Sequence, residues 1–239
     1  MSVLAMQLAG PLQSWGASAR FARRTTEQAP TKSGVIGLLA AALGRRRTDD
    51  LSDLAALRFG VRVDQHGVPV RDYQTAQHFE SGKSMPVSER FYLADAVFLA
   101  FVEGEGVLIE RLHSALRDPV FLPYLGRRSC PPSRPVELDV YHDHSIEQRL
   151  VDEPWRASRW HQRRSREQMV RLETIVEAGR GDGPADTLRD QPLSFDPIHR
   201  RYALRGIVRD HVEVPNPIAR RTTAGAPTDH DPTAVLRGM

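Results

Sequence analysis

Cysteine is nearly absent from this sequence: Cys130 stands alone among 239 residues. A disulfide framework is excluded, and a thiolate zinc site has no second sulfur to build on. Long apolar runs are missing too. No stretch approaches the ~20 residues a helix needs to cross a bilayer. The opening MSVLAMQLAG has neither a charged leader nor the length of a secretory signal. These absences predict a soluble, cytoplasmic chain with no membrane partner. Lysine is the third scarcity. Only Lys32 and Lys83 occur, against 31 arginines. Arginine's planar fork holds phosphate through two hydrogen bonds and stacks on bases, which a lysine ammonium does not do. A GC-rich coding preference produces the same bias, so composition leaves both explanations open. The net charge of +3 is too small to name a partner.

What is present is enough for a folded core, since 40% of residues are hydrophobic. VLAMQLA (3–9) is short and apolar and stops at Gly10-Pro11, as a buried strand does. In PTKSGVIGLLAAALG (30–44), Pro30-Thr31 suits a helix start and Gly44 a stop. Arg45, Arg46 and Arg47 would then complement the negative helix end. DDLSDLAAL (49–57) predicts a second, short helix, RFGVRVD (58–64) an alternating strand and VPVRDYQTAQ (68–77) another. The polar stretch 78–90 reads as an exposed excursion and 91–104 as a strongly apolar strand. Leu108, Ile109, Leu112 and Leu116 fall at helical spacing within 106–118. VELDVYH (136–142) closes the series.

This order predicts an α+β fold: a ferredoxin-like βαββαβ plan (residues 1–142) with an extra hairpin, its helices on one sheet face and the other face free. Residues 143–239 form a separate basic, β-rich region. Its 171–179 and 199–214 segments read as strands, 179–197 as a flexible loop and the chain from 215 as a loose tail.

Three clusters mix aromatic and basic groups: Gln13, Ser14 and Trp15 with Arg20; Arg71 with Tyr73; Tyr124 with Arg127 and Arg128. Single-stranded RNA is held this way, bases stacking on rings while arginines follow the phosphates. The plainer alternative is that each ring packs in the core. Lys32-Ser33-Gly34 at a helix start could seat a phosphate or simply cap the helix. It lacks the spacing of a P-loop. His78 and Lys83 are the only groups offered for metal-independent RNA cleavage, and they sit in no recognisable catalytic motif. His142 and His144 would share a strand face but lack a third ligand, so neither a metal nor a cofactor is expected. Seven arginines between Arg149 and Arg171 read as a solvated face, or as contact with nucleic acid or an acidic subunit.

LAGPLQSWG (8–16), PTKSGVIGLLAAALG (30–44), RDYQTA (71–76) and PYLGRRSCP (123–131) resemble, in this order, the CasD family. This is a subunit family of the type I-E CRISPR Cascade complex, within the fifth Cas family and the RAMP superfamily. The resemblance spans about 8–135, and the last third carries no sharp motif. It implies an RRM-like, ferredoxin-type fold with a protruding thumb at about 73–92, shorter than is usual for the family. It further implies a non-catalytic subunit that grips the 5′ handle of the CRISPR RNA and caps the CasC backbone filament. CasA would be a neighbour and CasE would lie at the far end of the RNA. CasB and target DNA would be met through the complex. The alternative is an endoribonuclease that processes repeat RNA, as a related subtype does. RNA contacts are expected from Gln13, Ser14, Trp15, Arg20, Arg24, Lys32, Ser33, Arg71, Tyr73, Tyr124, Arg127 and Arg128.

Overall fold

A computed structural model describes residues 1–16, 23–179 and 186–219. Arg20, the middle of the expected loop and the tail beyond 219 lie outside the described residues. In chain order the elements are β1 (Ser2–Ala9), β2 (Leu12–Gln13), β3 (Arg23–Arg24), α1 (Lys32–Ala42), α2 (Ser52–Ala55), β4 (Arg58–Gln65), β5 (Val68–Gln74), β6 (Ser88–Ala94), β7 (Val97–Gly104), α3 (Gly106–Arg117), β8 (Glu137–His142), α4 (Ile146–Asp152), α5 (Arg159–Arg164), β9 (Met169–Glu177), β10 (Asp186–Ser194) and β11 (Arg201–Pro215). They form a mixed α+β protein.

A seven-stranded sheet runs β10-β11-β9-β4-β7-β1-β8, with every neighbouring pair antiparallel. Strand β1, between β7 and the edge strand β8, is buried along its whole length, because both faces are covered. Leu4, Met6 and Leu8 pack with Ile36 and Leu39 of α1 and Ile109, Leu112 and Leu116 of α3. Val3 and Ala5, on the other face, pack with Leu99, Phe101 and two residues of α4, Ile146 and Leu150. The expectation of a free sheet face is therefore corrected. A strand apolar on both faces must be covered twice, and α4 provides the second cover. Ser145 caps that helix in a reciprocal box with Gln148, which sets where it begins.

Two further expectations change. The apolar run 91–104 is two strands, broken where Asp95 turns at φ 55°. Its first half, β6, leaves the large sheet and pairs with β5 from Val68↔Ala94 to Gln74↔Ser88. This makes a projecting hairpin whose segment 75–87 is exposed, with Phe79 fully so. Much of the expected loop 179–197 is strand β10. Gly, Pro and Asp suggested a loop, but β10 is the sheet's outermost strand, where Pro192 and two register shifts are tolerated. Strands β9 to β11 join the large sheet through Gly60↔Val176, so residues on both sides of 142 share one sheet.

Strand β4 also holds what alternation did not foresee. Arg62 and Asp64 are fully buried and paired at 2.7 Å. Arg62 Nη1 donates to the carbonyls of Leu150 and Glu153, and Nη2 to that of Pro154, at 2.6–2.8 Å. The guanidinium thus ties the end of α4 to the sheet. At the start of α4, Arg58 donates to Glu147 and pulls that carboxyl down from an ordinary 4.5 to about 2. A depressed acid stabilises the fold above its ordinary pKa and loses that contribution as pH falls from about 4.5 towards 2. An NMR titration should place Glu147 near 2, and Arg58→Ala should return it close to 4.5. An unmoved titration in that variant would remove the ion pair as the cause.

Candidate nucleic-acid interface

The segment PYLGRRSCPP folds as a short loop pinned at two apolar points. Leu125 and Cys130 are fully buried, and Leu125 N donates to the Cys130 carbonyl at 2.7 Å. Cys130 N in turn donates to the Arg127 carbonyl at 2.9 Å. Gly126 adopts φ +85°, and a Cβ there would lie 1.8 Å from the Ser14 carbonyl oxygen. Only glycine lets the loop lie against residues 14–15. Ser14 N donates to the Leu125 carbonyl at 3.1 Å and fastens the two segments. Burial raises the Cys130 thiol pKa.

Trp15 is the floor on which three of the quoted stretches meet. Its ring is fully buried. A Cβ on Gly34 of α1 would come within 2.8 Å of it, and one on Gly126 within 3.5 Å. The indole N–H donates to Gln13 Oε1 at 3.1 Å, and Gln13 Nε2 donates to the carbonyls of Leu8 and Ala96. Ser14 Oγ donates to the Phe91 carbonyl. All three side chains, expected at RNA, face the protein interior.

Lys32 and Ser33 are buried as well. The anion at the start of α1 is Asp190 of β10, whose Oδ2 accepts from Lys32 N at 2.7 Å. Asp190 is also held by both arms of Arg205, at 2.9 and 2.7 Å. Lys32 Nζ pairs with Glu177 at 2.9 Å. Burial lowers the lysine pKa and Glu177 opposes that shift. The helix start that the sequence offers to a phosphate is thus filled by a carboxylate from a strand 158 residues away. Ser33 Oγ lies 3.5 Å from Thr31 Oγ1, and Thr31 caps the helix through Gly34 N.

The remaining expected residues reach the surface. Arg127 lies 4.7 Å over the Tyr92 ring, and its Nη2 donates to the Arg24 carbonyl at 2.8 Å. Its Nη1 has no acceptor among the described residues. Arg128 and Arg24 are exposed and Tyr124 half-buried. Neither Arg127 nor Arg128 has a carboxylate partner among the described residues. On β5, Arg71 stacks over Tyr73 at 4.8 Å, and both are exposed.

Arg24, Tyr124, Arg127 and Arg128 border an open groove of about 2070 Å³. Its other walls are the end of α1 and the β10–β11 connection. They add Arg45, Arg46, Arg47, Arg189, Arg200 and Arg201, with Phe121, Leu122, Leu193, Phe195, Ile198 and Tyr202 between them. Nine arginines and no acidic residue line the groove among the described residues. Among the described residues only Arg45 of the nine is neutralised, by Asp53 at 2.5 Å. Such a trough concentrates positive potential beside exposed apolar rings. The sequence signals for the extra walls were the runs RRR at 45–47 and RR at 200–201. The first reads equally well as a helix-end complement, and nothing local places the second beside it.

His78 Nδ1 lies 3.1 Å from Ser81 Oγ in the hairpin, and Lys83 forms no ion pair among the described residues. His142 bonds Ser2 and Glu110, and His144 bonds the His142 carbonyl. No group of three metal-ligating side chains occurs among the described residues. No described helix is long and apolar enough to cross a membrane.

A mixed α+β chain with this groove and hairpin falls among the CRISPR-associated proteins: the family model described as CRISPR-associated protein (Cas_Cas5) matches residues 3–207. The chain belongs to that family, and within it to the CasD family. It is 38% identical to the CRISPR system Cascade subunit CasD of Escherichia coli (strain K12) over 158 residues, 57% of this chain and 70% of that subunit. Two solved structures resemble it over most of their length. One is described as the crystal structure of a Cas protein, with TM-score 0.67 and 38% identity, covering 90% of this chain and 95% of that one. The other is a chain of a CRISPR RNA-guided surveillance complex, with TM-score 0.71 and 34% identity, covering 89% and 91%.

Proposed function

We propose that this chain is a non-catalytic RNA-binding subunit of a type I-E Cascade ribonucleoprotein, with its arginine groove gripping the 5′ handle of the CRISPR RNA. The observation that carries this reading is a groove lined by nine arginines, eight of them without a carboxylate partner among the described residues. That excess of unpaired positive charge is suited to a phosphate backbone. The likeness to a Cascade subunit and to a chain of an RNA-guided complex supports it. Four core strands in the order β8-β1-β7-β4, with α1 and α3 on one face, support reading residues 1–142 as a ferredoxin-like RAMP domain. Residues between Arg189 and Tyr202, from the basic, β-rich region 143–239, supply one wall of its groove.

Arg24, Arg127 and Arg128 hold phosphates in this scheme, and Tyr124 stacks a base. Gln13, Ser14, Trp15, Lys32 and Ser33 act as positioning residues beneath them. Arg71, Tyr73 and the fully exposed Phe79 make the β5–β6 hairpin a thumb that wedges the RNA where handle meets guide. The chain caps the CasC filament beside CasA, with CasB, CasE and target DNA reached through the complex.

Repeat RNA incubated with the chain in EDTA separates this reading from an endoribonuclease. Salt-dependent binding without cleavage is expected. Cleavage at one site, abolished by His78→Ala or Lys83→Ala, would overturn the non-catalytic assignment.

A further inference from the structure

The basic stretch around α5 shares no residue with the groove, and it carries an exposed tryptophan. Trp160 is 55% exposed. An indole left open to water forfeits the burial that usually holds a tryptophan in place. Its direction is nevertheless set by the fold. Gln162, on the same helix, is buried and donates to the Trp155 carbonyl at 2.7 Å. Asn216 is buried beside it, and its Nδ2 reaches the carbonyls of Gln162, Ser165 and Glu167 at 3.2–3.4 Å. His161 stands edge-on between Trp155 and Trp160, with centroids 5.8 and 5.5 Å away. The helix that carries the exposed ring is therefore anchored, with His161 against the ring's side.

The ring borders a cleft of about 270 Å³ shared with His66, Val68, Ala94, Asp95 and Arg164. Val68 and Ala94 are the root of the β5–β6 hairpin. Arg159, Arg163, Arg164 and Arg166 have no carboxylate partner among the described residues. Positive charge surrounds a flat apolar surface, and Asp95 supplies one acceptor suited to the exocyclic amine of a base. A flat open ring accepts an unpaired base, since bases inside a duplex have both faces covered by their stacked neighbours.

We propose that α5 is a second contact for single-stranded RNA, with a base stacked on Trp160 at the hairpin root and Arg163 and Arg164 on the adjoining phosphates. The RNA is the continuation of the strand held in the groove. Ala94 of the cleft and Tyr92, beneath Arg127, are two residues apart on β6, so one strand passes from groove to cleft across the hairpin. The inference rests on the groove reading.

The test uses the assembled ribonucleoprotein with 4-thiouridine in its RNA, together with affinity measurements for Trp160→Ala and Trp160→Phe. Crosslinks are expected at both 123–128 and 159–166. Trp160→Ala should weaken RNA binding about 10-fold, as loss of one base–ring stack does. Trp160→Phe should restore most of it. Crosslinks confined to 123–128, with Trp160→Ala binding normally, would overturn this inference and leave the groove reading standing. Crosslinks at neither segment would overturn both. Loss of a neighbouring subunit in Trp160→Ala with RNA contacts unchanged would make the surface a protein interface and overturn the RNA assignment.

Discussion

Replacing Arg127 and Arg128 together with alanine should weaken binding of the RNA handle about 10- to 100-fold, or about 1.4–2.8 kcal/mol. It should also reduce the slope of log affinity against log salt by about 1.4, the value for two phosphates on a single strand. The two single variants should differ. Arg128 has no hydrogen bond to another residue of the chain among the described residues, so Arg128→Ala should lower affinity and leave melting unchanged. Arg127 supports the loop through the Arg24 carbonyl and the Tyr92 ring. Arg127→Ala should therefore lower affinity and also loosen residues 123–130 in hydrogen exchange. Unchanged RNA retention and salt slope in the double variant would exclude these residues as the phosphate clamp.

Arg62→Ala should have the largest effect on stability. Five hydrogen bonds leave this guanidinium, two to Asp64 and three to carbonyls at the end of α4. The variant strands a buried carboxylate and leaves those three carbonyls without their donor, a loss of about 3–5 kcal/mol. For a chain of this size that is a fall in Tm of about 6–20 °C. Burial already raises the Asp64 pKa against the pull of Arg62. Without the arginine the rise is larger. A raised acid favours the fold at low pH and costs stability as pH climbs past its ordinary value. The deficit of the variant should therefore be smaller near pH 4 than near pH 7, and faster exchange should concentrate in 150–158. A deficit independent of pH would mean that the stranded carboxylate is not its source.

Much of the secondary structure was legible because local chemistry dictates it. The apolar runs of β1 and β7, the helical spacing of α3 and the Thr31 and Gly44 boundaries of α1 all act within a few residues. The candidate site was legible unevenly. The sequence marked which stretches converge, but not which of their side chains face out. Gln13 and Trp15 satisfy each other and two backbone carbonyls, an arrangement that requires β1, β2 and the β6–β7 turn to be in place.

By itself, then, the sequence determined strands β1 and β4, helices α1 and α3, the lack of a second cysteine for an internal disulfide, the arginine-rich chemistry and the glycine at 126. Each depends on composition or on a residue's immediate neighbours. Tertiary structure alone decided that Asp190 fills the start of α1, that α4 covers the second sheet face and that Arg62 is buried. It also decided that Arg189, Arg200 and Arg201 stand opposite Arg127 and Arg128 across one groove. These outcomes join groups some 60 to 160 residues apart in the chain, and their energies exist only when both partners leave water together.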